Sequence, residues 1–162
     1  MIFRLTKKSQ AKLKTGKLSK VPENVLFNEW YINVFFSNRH RYFIISNAAT
    51  LVTVIIPGAG IKNEADLFES VFDAMGELFN AIGCPFIFQR NIEPEIHDIT
   101  LADTCNMKIL GSMNDMVLNA KYHLEVDNMQ PLDVSRSINE TPFGYIGMET
   151  PSDFLKHYRL YA

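Results

Sequence analysis

One stretch limits what this chain can fold into more than any other. Leu67, Phe68, Val71, Phe72, Met75, Leu78, Phe79 and Ile82 recur at helical spacing and draw one continuous apolar stripe. Asp66, Glu69, Ser70, Asp73 and Glu77 line the opposite side. Asn63, three residues ahead of Asp66, starts the helix in the manner of a capping box, and Gly83 followed by Pro85 stops it. A helix with one dry face must lay that face on another apolar surface.

That surface is legible just upstream. Trp30 to Phe36 alternates, with Trp30, Ile32, Val34 and Phe36 on one side and Tyr31, Asn33 and Phe35 on the other. Ser37–Arg41 is a polar turn, Tyr42–Ser46 a second strand, Asn47–Thr50 a second turn and Leu51–Ile56 a third strand. Short polar links between apolar runs predict an antiparallel meander over 30–56. Its strands are apolar on both sides in places, so helices are expected over much of both faces. Ile2–Thr6 reads as an opening strand, Phe86–Gln89 as a fourth strand of the meander type, and Ile99–Leu101 and Phe143–Met148 as further short strands. Thr6 is placed to cap a helix over residues 7–13 that Gly16 ends. Ser112 is placed to cap another, with Met113, Met116, Val117, Ala120 and Leu124 inward. Pro131–Glu140 and a segment opened by Thr150-Pro151 complete the helices. The expected fold is α+β: a single domain over 1–162, with a mostly antiparallel sheet and helices packed against it.

Hydrophobic residues make up 47% of the 162, enough for a core of this kind. No apolar run approaches the roughly 18 residues that span a bilayer, and the apolar residues of the N-terminus precede the basic ones, opposite to a secretory signal. A cytoplasmic protein with no membrane partner is therefore expected. Two cysteines, Cys84 and Cys105, fit a reducing compartment and read as buried thiols. Charge is unevenly spread. Of the 16 Lys and Arg, seven fall in residues 1–20, which hold no acid, leaving nine against all 18 acids in the remainder.

Several clusters could carry chemistry. Pro57-Gly-Ala-Gly60 follows a strand and precedes a helix, the setting of a phosphate loop, yet it has no third glycine at dinucleotide spacing and no Gly-Lys-Ser/Thr, so a turn needing positive φ is preferred. Glu93, Glu95, His97, Asp98 and Asp103 hold potential ligands without any paired-histidine spacing, and a solvated loop is preferred. Asn114 and Asp115 sit in the first turn expected after Ser112, where an acid suits the helix dipole. Arg136 and Glu140 are spaced i,i+4 to pair, and Asn139 is placed to end its helix before Pro142. These five, Asn114, Asp115, Arg136, Asn139 and Glu140, are the candidates for binding a ligand or partner. Arg4, Lys7, Lys8, Lys12 and Lys14, joined by Arg39 and Arg41 if the fold brings them near, are candidates for a basic patch.

Phe3-Arg-Leu-Thr-Lys-Lys8, Leu110-Gly-Ser-Met-Asn-Asp115 and Asn139-Glu-x-Pro142 resemble, in this order and spacing, a family of small bacterial proteins of unknown function. The resemblance implies a complete one-domain unit and no particular activity, cofactor or catalytic residue.

No catalytic signature, metal cluster or cofactor loop stands out, so the expected function is a non-catalytic binding or regulatory module acting through protein contacts, with itself or another protein. Nucleic-acid binding through the basic head is a less favoured alternative. A small hydrolase is a third. It would use His97 with a neighbouring carboxylate, or a polar pocket built from the five candidates. The head's positive charge and the acids of the long helix describe a dipolar molecule suited to charge-guided association.

Overall fold

The computed structural model describes residues 1–158. Five strands, β1 (Ile2–Leu5), β2 (Glu29–Ser37), β3 (His40–Asn47), β4 (Thr53–Pro57) and β5 (Thr100–Asp103), form one mixed sheet in the order β4-β3-β2-β1-β5. The predicted meander is present: β2 runs antiparallel to β3, from Trp30 opposite Asn47 to Ser37 opposite His40, and β3 antiparallel to β4. β1 pairs in parallel with β2 on one side and β5 on the other, so the opening strand is an interior one. The helices are α1 (Lys7–Leu13), α2 (Glu64–Ala81), α3 (Pro85–Asn91), α4 (Met107–Glu125), α5 (Pro131–Asn139) and α6 (Pro151–His157).

The period of two along the strands splits the core in two, because neighbouring side chains point to opposite faces. Phe3, Leu5, Trp30, Ile32, Val34, Phe43 and Ile45 meet Leu67, Val71, Met75, Leu78 and Phe79 of α2, which are the inward residues of the predicted stripe. Tyr31, Phe35, Ile44 and Ile55 meet Ile109, Met113, Met116 and Ala120 of α4 and Val134 and Ile138 of α5. The sheet is thus covered on both faces, as its two-sided apolar strands require.

Caps behave as their chemistry dictates. Thr6 accepts from the Ser9 N–H, Asn63 from that of Asp66, and Thr150 from that of Asp153. α1 spans the expected residues, Lys7–Leu13, but its C-cap is Lys14 in the left-handed region (φ 52°) and not Gly16. Two elements differ in kind from the sequence reading and a third in where it starts. Phe86–Gln89 belongs to α3, since Pro85 fits the first helical turn and a short apolar run has no period that separates strand from helix. Phe143–Met148 forms a 3-10 turn over Gly144–Ile146 with a single bridge from Phe143 to Glu149. α4 begins at Met107, ahead of Ser112. Asn106 caps it by accepting from the Lys108 and Ile109 N–H groups, and the Ser112 hydroxyl instead donates back to the Lys108 carbonyl. Asn106→Ala should therefore lower stability by about 1 kcal/mol in urea unfolding, and Ser112→Ala should change it little.

The β2–β3 hairpin turns through Asn38 and Arg39, both at positive φ (48° and 67°), the geometry of a two-residue hairpin loop. Asparagine is at home there. Arginine occupies the position where glycine is usual, at a cost of roughly 1 kcal/mol.

Candidate functional site

The most convergent set of charged groups lies under the loop before β2. Arg4 and Glu29 are each 1% exposed, although Arg4 belongs to the expected basic patch. β1 is interior, and its alternation points Arg4 to the same face as Tyr31, its register partner in β2. The guanidinium bonds Glu29 at 3.3 and 3.2 Å and the carbonyls of Val21, Pro22 and Asp103 at 2.9 Å each. Those contacts use all five of its N–H donors, so none is left for a ligand. Burial works against the charge, but the hydrogen bond and Coulomb attraction of Glu29 outweigh it and hold Arg4 above its usual pKa. Nearby, the Tyr31 hydroxyl lies 3.4 Å from the Cys105 sulfur, and burial, reinforced by that contact, pushes the phenol well above its ordinary range. Cys105 itself is exposed, contrary to expectation, while Cys84 is buried and its thiol pushed up by desolvation. The cluster is a crosslink between loop, β2 and β5.

The five polar candidates separate. Asn139 is fully buried: its Oδ1 accepts from the Thr53 N–H at 2.9 Å, and its Nδ2 donates to the carbonyls of Thr53 and Ser135, both at 2.7 Å. Ser135 accepts from the Ile55 N–H at 2.9 Å. β4 is one of the two edge strands of the sheet, and α5 covers it by answering its outward amides with side chains. Arg136 and Glu140 are exposed on α5, and no ion pair joins them among the described residues. Asn114 and Asp115 are exposed on α4. The pocket required by the hydrolase reading is not formed, because Asn139 turns into the sheet while the other four face solvent.

Asn114 and Asp115 have company that the sequence reading missed. Leu118, Tyr122 and Val126 lie 68%, 58% and 60% exposed at i, i+4 and i+8 along the same outward side of α4 and its cap, and Met107 at 78% begins the helix. The signal was present as a second, weaker apolar spacing behind the core-facing residues. Asp115 and Lys121 flank Leu118 three residues before and three after, and neither forms an ion pair among the described residues.

The remaining basic residues are partly gathered. Lys7, Lys8 and Lys14 are exposed on and just after α1. The Lys12 ammonium lies 5.4 Å over the Phe36 ring, at the hairpin tip that carries Arg39 and Arg41. The acidic patch around His97 is dispersed: His97 and Asp98 are exposed, and Glu95 pairs with the Met1 amino group at 2.9 Å. Among the described residues no group of three or more His, Cys, Asp and Glu could hold a metal ion, and no helix is long and apolar enough to cross a membrane.

A family model described as a domain of unknown function, DUF6933, matches residues 2–154. No curated protein matches the chain.

Proposed function

Since the chain belongs to the DUF6933 family of domains of unknown function, we propose from its own surface that it is a non-catalytic binding module that works through protein contacts, with a second copy of itself as the partner on α4. The observation that carries this reading is the exposed Leu118–Tyr122–Val126 stripe on a helix whose other side is anchored in the core. Solvated apolar rows at helical spacing are a recurrent contact surface. The flanking charges favour a second copy. Two α4 helices crossing antiparallel at Leu118 set Asp115 of each opposite Lys121 of the other, and Asn114 opposite Tyr122. A two-fold axis repeats both contacts, and two-fold dimers are the commonest assemblies.

Sedimentation equilibrium and native mass measurement test this directly. The wild-type chain should dimerise with a dissociation constant in roughly the micromolar range, as suits a small interface. Leu118→Glu should be monomeric with its circular dichroism unchanged. Asp115→Lys should weaken the dimer, and adding Lys121→Asp should restore it. A wild-type chain that stays monomeric at about 100 μM overturns the reading.

A further inference from the structure

At the far end of the hairpin, Lys12, Phe36, Arg39, His40, Arg41, Tyr42 and the Pro57–Gly60 loop line an open depression of about 350 Å³. Among the described residues three permanent cations border it and no acid does. None of the three forms an ion pair among the described residues. Arg41 is held in place: one of its Nη groups donates to the carbonyls of Gly58 and Ile61 at 3.0 and 2.7 Å, and its side chain lies so close to Gly58 that a Cβ there would meet its Nε at 2.8 Å. Its Nε is buried with no partner, and its other Nη group has no acceptor among the described residues. The loop adds neutral donors. The N–H groups of Ala59 and Gly60 find no acceptor among the described residues, and Gly60 stands at φ 81°.

Arg39 is the second, independent observation. It sits at φ 67°, a left-handed position where glycine would close the same turn without strain, and its exposed side chain forms no ion pair among the described residues. One fixed and two exposed cations, free backbone amides and no competing carboxylate among the described residues are the chemistry of an oxyanion site.

We propose that this depression binds the phosphate group of a small phosphorylated molecule. Lys12, Arg39 and Arg41 supply the charge, and the Ala59 and Gly60 amides supply directed hydrogen bonds. A depression of this size suits a small ligand, not a run of backbone phosphates. The site is distinct from the α4 face and does not depend on the dimer reading.

Inorganic phosphate and pyrophosphate, titrated into labelled wild-type protein and followed by amide NMR, should shift the Ala59 and Gly60 signals and saturate in roughly the low-millimolar range. Arg39→Gly is the decisive variant, because it removes the cation while relaxing the turn. It should weaken pyrophosphate binding about tenfold with no fall in thermal midpoint. Lys12→Gln should weaken it similarly. Unsaturable shifts scattered over Lys7, Lys8 and Lys14, or affinity unchanged in Arg39→Gly, overturn the proposal. A single-stranded oligonucleotide that binds with a steep salt dependence, when neither small anion does, also overturns it, in favour of a polyanion surface.

Discussion

Replacing Arg4 by Met is expected to cost about 3–5 kcal/mol of stability. The change leaves Glu29, 1% exposed, as a buried charge without a partner and strips the donors from the carbonyls of Val21, Pro22 and Asp103. Against a typical total of about 5–15 kcal/mol, that is a large share. Glu29→Gln should cost less, because Arg4 keeps its three carbonyl acceptors. Arg4→Lys should not rescue, since a three-donor ammonium cannot reproduce five bonds in a planar fork. The double variant Arg4→Met with Glu29→Met should recover part of the loss, because removing both charges removes the desolvation penalty but not the loose carbonyls. Urea unfolding of the set measures each step. A loss under about 1 kcal/mol in Arg4→Met would show that the pair does not crosslink the fold.

Asn139→Ala should cost about 2–4 kcal/mol, through a route that differs in kind. No charge is involved. A buried backbone N–H at Thr53 loses its acceptor, and the carbonyls of Thr53 and Ser135 lose their donor. Asn139→Asp should be worse than Ala, since a carboxylate can accept from Thr53 but sets negative charge against two carbonyl oxygens. Ser135→Ala releases the Ile55 N–H and one donor to the Pro131 carbonyl and should cost about 1 kcal/mol. With α5 unclipped, β4 becomes an open edge, so both Asn139 variants should also scatter more light on heating. Equal stability of Asn139→Ala and wild type in urea would mean that water or a shifted helix answers β4 instead.

From sequence Arg4 reads as part of a basic patch and Asn139 as a binding candidate, and in the structure both are buried fasteners. The reason is physical. A polar residue amid polar neighbours reads as solvated because local sequence shows only what lies beside it along the chain. Arg4 is buried because β5, about a hundred residues away, pairs with the far side of its strand and makes it interior. Asn139 is buried because α5 happens to cover the β4 edge of the sheet. The same limit hid the cation-lined hairpin tip. Lys12 and Gly60 lie too far apart in the chain for any spacing rule to join them, although the meander that brings the Arg41 strand beside the loop was legible.

The sequence by itself determined the elements with a strong period. The stripe from Leu67 to Ile82 could only be a one-faced helix, and the alternation over 30–56 could only be a meander with two apolar faces, because both patterns repeat the geometry of the backbone that carries them. Local caps at Thr6, Asn63 and Thr150 followed from a single side-chain oxygen within reach of the next turn. Tertiary structure alone decided which strand was central, which edge needed covering, and whether Phe86–Gln89 was strand or helix. Those outcomes depend on long-range pairing and on which polar groups find buried partners. No periodicity encodes either.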